Sequence, residues 1–88
     1  MSTIQFKSTD FIYHKEETGI KPNTVREIDL SDERFLHLIC KGYSGFDEGE
    51  IIIKIVNADT GVYFEREVED ITIFKNLMII SWKHKVKE

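Results

Sequence analysis

A chain of 88 residues holds one domain, expected to span 1–88, and buries only about two-thirds of the surface its unfolded form exposes, which argues against a large internal active site. With 41% hydrophobic and 11% aromatic residues and a single proline, it has the composition of a folded globule. Its 12 basic and 16 acidic side chains give a formal charge of −4, which disfavours generic wrapping of nucleic acid but leaves room for a local basic patch.

Ile4 and Phe6 alternate with Gln5 and Lys7, predicting a short first strand. No apolar run in residues 1–6 has the form of a signal peptide. Ser8, Thr9 and Asp10 are three N-cap candidates, and a helix of about two turns is expected over 11–17, closed by Gly19. Pro22 restrains Lys21 to an extended conformation and favours a turn with Asn23. Residues 24–28 then alternate, setting Thr24, Arg26 and Ile28 on one face and Val25 and Glu27 on the other.

A second helix is expected after Ser31, with Phe35, Leu38 and Ile39 at helical spacing and Gly42 at its end. Cys40, the lone cysteine, makes no intrachain disulfide; it reads as a small buried hydrophobe in a reducing, cytoplasmic setting. Residues 43–49 read as a loop that carries Tyr43 and Phe46 and is long enough to act as a rim or lid.

The C-terminal half reads as a β-meander. Residues 50–56 are rich in isoleucine and valine and predict a central strand. Residues 57–61 have hairpin chemistry, and 62–68 return with Val62, Phe64 and Val68 inward. A further hairpin joins 71–74 to 77–82 through Lys75 and Asn76. The longest apolar runs, 51–53 and 77–80, are far below the ~20 residues that span a bilayer, so no membrane partner is expected. The fold class is therefore α+β: a small, β-rich domain with one or two short helices.

Most recognised chemistry is missing from the letters. There is no phosphate-binding glycine loop and no dinucleotide fingerprint, and Ser8 and Ser81 lack a nucleophile-elbow context. His14, His37 and His84 lie far apart without a second ligand at a helical or strand offset, so no metal and no cofactor is expected. Glu65, Glu67, Glu69 and Asp70 form an acidic row that reads as a solvated strand face. The basic tail 83–87 reads as a solubilising terminus.

Lys21, Thr24 and Arg26 remain. Arginine offers forked donors for a carboxylate, a phosphate or a base edge, and a lysine screened from water can take a proton from a threonine hydroxyl. Read plainly, the same residues are two exposed cations and a β-branched strand residue.

Gly19, Lys21, Thr24 and Arg26 fill a G-x-K-x-x-[E/T]-x-R pattern that resembles the signature of the ASCH domains, members of the PUA-like β-barrels. Those domains place the motif just after a first helix, and the predicted order of elements is similar over most of the chain. Compact, phage-encoded versions of the fold suit this length. The resemblance implies a PUA/ASCH-like barrel that binds RNA, other nucleic acid or a nucleotide in a cleft floored by the motif. One bacterial branch hydrolyses the amide of acetylated cytidine with the motif lysine and threonine, positions matched here by Lys21 and Thr24, and a glutamate from a later helical insertion. This chain departs from that branch: Pro22 stands where a threonine is usual, and no such insertion follows Gly42. Glu48 and Glu69 cannot be equated with the missing acid.

Three functions are thus expected in order. The first is a binding module using Gly19, Lys21, Thr24 and Arg26, with Tyr43 and Phe46 available to stack on a base. The second is an amidohydrolase on an acylated nucleoside, with Thr24 as nucleophile and Lys21 as base. The third is a phage-type interaction protein that engages a host protein through the acidic rows 47–50 and 65–70. Either outer strand of the meander is able to pair across a two-fold axis, and the letters leave oligomeric state open.

Overall fold

The computed structural model describes residues 2–83. Met1 and residues 84–88, with His84 and most of the basic tail, lie outside the described residues. Five strands and two helices follow in the order β1 (Ser2–Ser8), α1 (Asp10–Glu17), β2 (Asn23–Glu27), α2 (Glu33–Ser44), β3 (Ile51–Asn57), β4 (Tyr63–Phe74) and β5 (Leu77–Trp82). The strands form one sheet in the order β1-β3-β4-β5-β2, curled into a half-barrel. The α+β class expected from the sequence holds at this level.

The meander β3-β4-β5 is antiparallel throughout, β2 adds antiparallel to β5, and β1 adds parallel to β3. A parallel neighbour cannot be reached by a tight turn, so the chain between β1 and β3 crosses over through α1, β2 and α2. The two strands that come first in the chain therefore lie at opposite edges of the sheet. Its curl brings those edges back toward each other.

Alternation fixes which side chains enter the concave face. Phe6 on β1, Ile51, Ile53 and Ile55 on β3, Phe64 and Val68 on β4, and Met78, Ile80 and Trp82 on β5 are all buried. α1 packs on β3, and α2 packs on β4 with Phe35 and Leu38 inward. Phe6 and Phe35 meet at 5.6 Å between ring centres, Tyr13 and Phe64 at 5.4 Å, and Phe64 and Trp82 at 5.9 Å, all tilted or edge-on.

The Asn57 loop is tied to α1. Asn57 is buried and its Oδ1 accepts from the backbone of Asp59 and Thr60, while its Nδ2 donates to Asp10 Oδ1 at 2.8 Å. At the other end of α1, the Arg66 guanidinium lies over Phe64 and donates to the Glu17 carbonyl. Both ends of the short helix are thus held by the β3–β4 hairpin.

Several details differ from expectation. α2 runs past Gly42 to Ser44 and stops at Gly45, whose φ of 82° is easy only for glycine. Gly42 instead faces the side chain of Ile71, so close helix–sheet packing explains it better than termination. Tyr43 and Ser44 belong to the helix, not to the loop. The N-cap is Asp32, not Ser31, because the Asp32 carboxylate reaches the Arg34 N–H at 3.0 Å. Cys40 is exposed, since Phe35 and Leu38 define the inward face of α2. Val62 lies exposed before β4 begins. The expected strands 62–68 and 71–74 are one long strand with an irregularity between Val68 and Asp70, which takes Glu69 out of the two-residue alternation.

Candidate functional site

The free edges of β1 and β2 carry the site. Ser2 donates to the Glu50 carbonyl and Ser8 accepts from Ala58, so even-numbered residues of β1 bond to β3 and the carbonyls of Gln5 and Lys7 point off the edge. On β2, Trp82 donates to Pro22 and Ile28 donates to Asn76, so Asn23, Val25 and Glu27 point their backbone groups off the opposite edge. An open edge is costly to leave unpaired and invites association.

Three cations close these edges. Arg26 Nη1 donates to the Lys7 carbonyl at 2.8 Å, Arg34 Nη1 donates to the Gln5 carbonyl, and Lys21 Nζ donates to the Asn23 carbonyl at 3.2 Å. Arg26 reaches further, with Nη2 on Ser8 Oγ at 2.9 Å and Nε on Thr24 Oγ1 at 3.0 Å. Its side chain projects from the concave face of β2, as the alternation of Thr24, Arg26 and Ile28 predicts.

At the centre lies Glu16, fully buried on α1. Its Oε1 accepts from Ser8 Oγ at 2.7 Å and its Oε2 lies 3.4 Å from Lys21 Nζ. A buried carboxylate is tolerable only when it is paired and hydrogen-bonded, and both conditions are met. Gly19 makes the arrangement possible. With φ at 85° it ends α1, and the chain turns so that the Lys21 N–H bonds the Lys15 carbonyl and the lysine side chain returns to Glu16.

Lys21, Thr24 and Arg26 therefore belong to one continuous network that runs Lys21, Glu16, Ser8, Arg26, Thr24. Thr24 is only 2% exposed, while the Lys21 side chain is about 30% exposed. Burial is the main cause that lowers the Arg26 pKa from its usual value; the charge of Glu16 opposes the shift and that of Arg34 adds to it.

Two further side chains at this site, Glu16 and Arg34, escaped the sequence reading. Glu16 sits in a Glu16-Glu17 pair that reads as solvent-facing, and its only signal is that it follows Tyr13 by three, sharing the buried side of α1. Arg34 lies in the first turn of α2, and nothing local marks it. Its guanidinium lies 4.4 Å from the centre of the Phe6 ring, and that of Arg26 lies 5.0 Å from the same ring.

The aromatic pair expected to stack on a base is placed differently. Tyr43 stands exposed near the end of α2. Phe46 packs partly on the core and lines an open hollow of about 210 Å³ with Glu48, Glu67, Val68, Glu69 and Lys83. No residue of the Lys21, Thr24, Arg26 network lines that hollow. Among the described residues, no three histidine, cysteine or acidic side chains gather as a metal site, and no helix is long and apolar enough to cross a membrane.

No protein-family model matches the chain, and no curated protein or solved structure matches it significantly.

Proposed function

We propose that the protein is a compact PUA/ASCH-like module that binds a nucleotide or a short single strand of nucleic acid at the seam between β1 and β2. The observation that carries this reading is the convergence of Lys21, Thr24 and Arg26, drawn from the letters alone, onto a single hydrogen-bonded network. At this seam Lys21, Arg26 and Arg34 outnumber the two carboxylates paired with them, Glu16 and Asp32, in a protein whose overall charge is −4. A local positive field of this kind attracts anionic ligands to one place on an otherwise acidic surface.

Binding is favoured over hydrolysis by the state of Thr24. Thr24 is buried and its hydroxyl accepts from the Arg26 cation, while Lys21, the base that hydrolysis needs, bonds Glu16 and the Asn23 carbonyl instead of Thr24. Glu16 is engaged by Lys21 and Ser8 in the same way.

Fluorescence anisotropy with labelled ribonucleotides and short single-stranded RNA and DNA tests the proposal. The intact protein is expected to bind at least one of them, and Arg26→Lys, which keeps the charge but loses the fork, to bind it more weakly. Absence of binding to every member of the panel overturns the reading.

A further inference from the structure

We propose that the guanidinium groups of Arg26 and Arg34 form a clamp for one phosphate group at the free edge of β1. The clamp rests on the nucleotide reading above and deepens it by naming the part of the ligand that this edge recognises.

Three features place the two groups as a pair. Each is anchored on an outward carbonyl of the same strand, Arg26 on Lys7 and Arg34 on Gln5. Outward carbonyls of one strand recur every second residue, about 7 Å apart. The two groups are also near enough for the charge of Arg34 to lower the Arg26 pKa. Both guanidiniums also lie against the ring of Phe6, which is itself buried among the core side chains and holds the pair in place.

Donors remain for a ligand. A guanidinium has five N–H groups. Among the described residues, Arg26 spends one on each of Thr24, Lys7 and Ser8. Arg34 spends Nε and one Nη2 hydrogen on Asp32, and one Nη1 hydrogen on Gln5. Each arginine therefore keeps one N–H on Nη1 and one on Nη2, with its plane already fixed by the other bonds. Spare donors held in a fixed plane suit a phosphate better than a freely rotating point charge does.

The charge balance also fits. Asp32 neutralises Arg34, but among the described residues Arg26 has no carboxylate within 4.0 Å, and Glu16 is committed to Lys21 and Ser8. The pair keeps a net positive charge while the two cations repel each other. A dianion between them relieves that repulsion.

The test is an NMR titration of the ¹⁵N-labelled protein with inorganic phosphate, read at the arginine Nε–H signals and matched in ionic strength with chloride. Arg26 and Arg34 are expected to shift together on one saturating curve with phosphate and not with chloride. No saturating shift at either residue overturns the clamp, whatever the nucleotide panel shows. Arg34→Gln, compared with Arg34→Lys as a charge-preserving control, is expected to weaken phosphate binding about tenfold. Equal affinity in the wild type and Arg34→Gln also overturns it.

The source of the phosphate is read by comparing a nucleoside, its 5′-monophosphate and a dinucleotide. Tighter binding of either phosphorylated form than of the nucleoside supports the clamp, and the larger gain identifies a terminal phosphate or a diester. Saturating phosphate shifts without any nucleotide binding leave the clamp in place and overturn the nucleotide reading. Nucleotide binding that ignores the phosphate does the reverse.

Discussion

Arg26 Nη2 donates to Ser8 Oγ at 2.9 Å, and that hydrogen bond joins the outermost strands of the sheet, which are separated in sheet order by all the others. The Ser8 hydroxyl then donates to Glu16 Oε1 at 2.7 Å. One small hydroxyl thus lies between a guanidinium and a buried carboxylate, with its acceptor side toward the cation and its donor side toward the anion. Such charge-assisted bonds are stronger than neutral ones and polarise one another in a low-dielectric setting. The candidate site is therefore also the closure of the half-barrel.

That dual role predicts a stability cost at Arg26 separate from any effect on binding. Arg26→Ala removes three hydrogen bonds at once and leaves the Lys7 carbonyl on an open edge. The expected loss is about 3 kcal/mol, allowing for water reaching some of the exposed partners. For a domain of this size, that lowers the melting temperature by roughly 10–25 °C. Thermal denaturation followed by far-UV circular dichroism checks this, and a melting point within 2–3 °C of wild type, about what 0.5 kcal/mol produces, excludes a closing role.

Glu16 and Lys21 are expected to be energetically coupled. Removing one partner of a buried pair leaves an uncompensated charge, whereas removing both is far milder. Glu16→Gln alone is expected to destabilise by about 2 kcal/mol, with Lys21→Met adding much less in that background than in the wild type. A double-mutant cycle in urea reads the coupling, expected at about 1 kcal/mol or more. Strict additivity of the two substitutions removes the ion pair from the account of the site.

The strands were legible because each carries its own period or turn chemistry. Ile4 and Phe6 alternate into the core, Thr24 and Arg26 share the concave face of β2, and residues 57–61 turn where their composition says. Local patterns cannot show which distant strand becomes a neighbour. The parallel pairing of Phe6 with Ile55 depends on a crossover through two helices, so the meeting of the β1 and β2 edges was hidden as well. The motif residues were visible as a spacing, while Glu16, which completes the network, and Arg34, which lies beside it over Phe6, come from helices whose facing only the fold decides. Lys75 at the β4–β5 turn is a further case: it takes a φ of 57°, a conformation more often given to glycine or asparagine.

Gly42 offers a direct check on where α2 ends. If Gly42 closed the helix in a left-handed conformation, alanine there would be strained. It instead lies within α2, and an added Cβ would meet Ile71 Cγ2 at 3.5 Å, an ordinary contact. Gly42→Ala is expected to stabilise the protein by about 0.5–1 kcal/mol through helix propensity and reduced freedom of the unfolded chain. Gly45→Ala, at a φ of 82° and ψ of 164°, is expected to destabilise by about 1–3 kcal/mol. Equilibrium unfolding in urea separates the two, and loss of stability in Gly42→Ala would falsify the longer helix.

Asp32 links the start of α2 to pH. Its carboxylate accepts from the Arg34 side chain and from the Arg34 backbone N–H, and these bonds hold its pKa below the usual carboxylate value. The ionised form therefore favours the folded state. Its contribution is complete above the unfolded pKa, about 3.9, and is lost as pH falls through the lower folded value. Asp29 and Glu50 are depressed as well, by Ser31 and by Lys41, so the whole-protein acid slope cannot be assigned to Asp32 alone. Asp32→Asn isolates it, because asparagine caps a helix about as well as aspartate but carries no charge. Wild type is expected to be the more stable protein at neutral pH, and the difference is expected to shrink across the carboxylate range and close once Asp32 is protonated. Urea unfolding of both proteins from pH 7 to pH 2 measures that difference, and a gap of constant size over the whole range would mean that the charge of Asp32 adds nothing to the helix start.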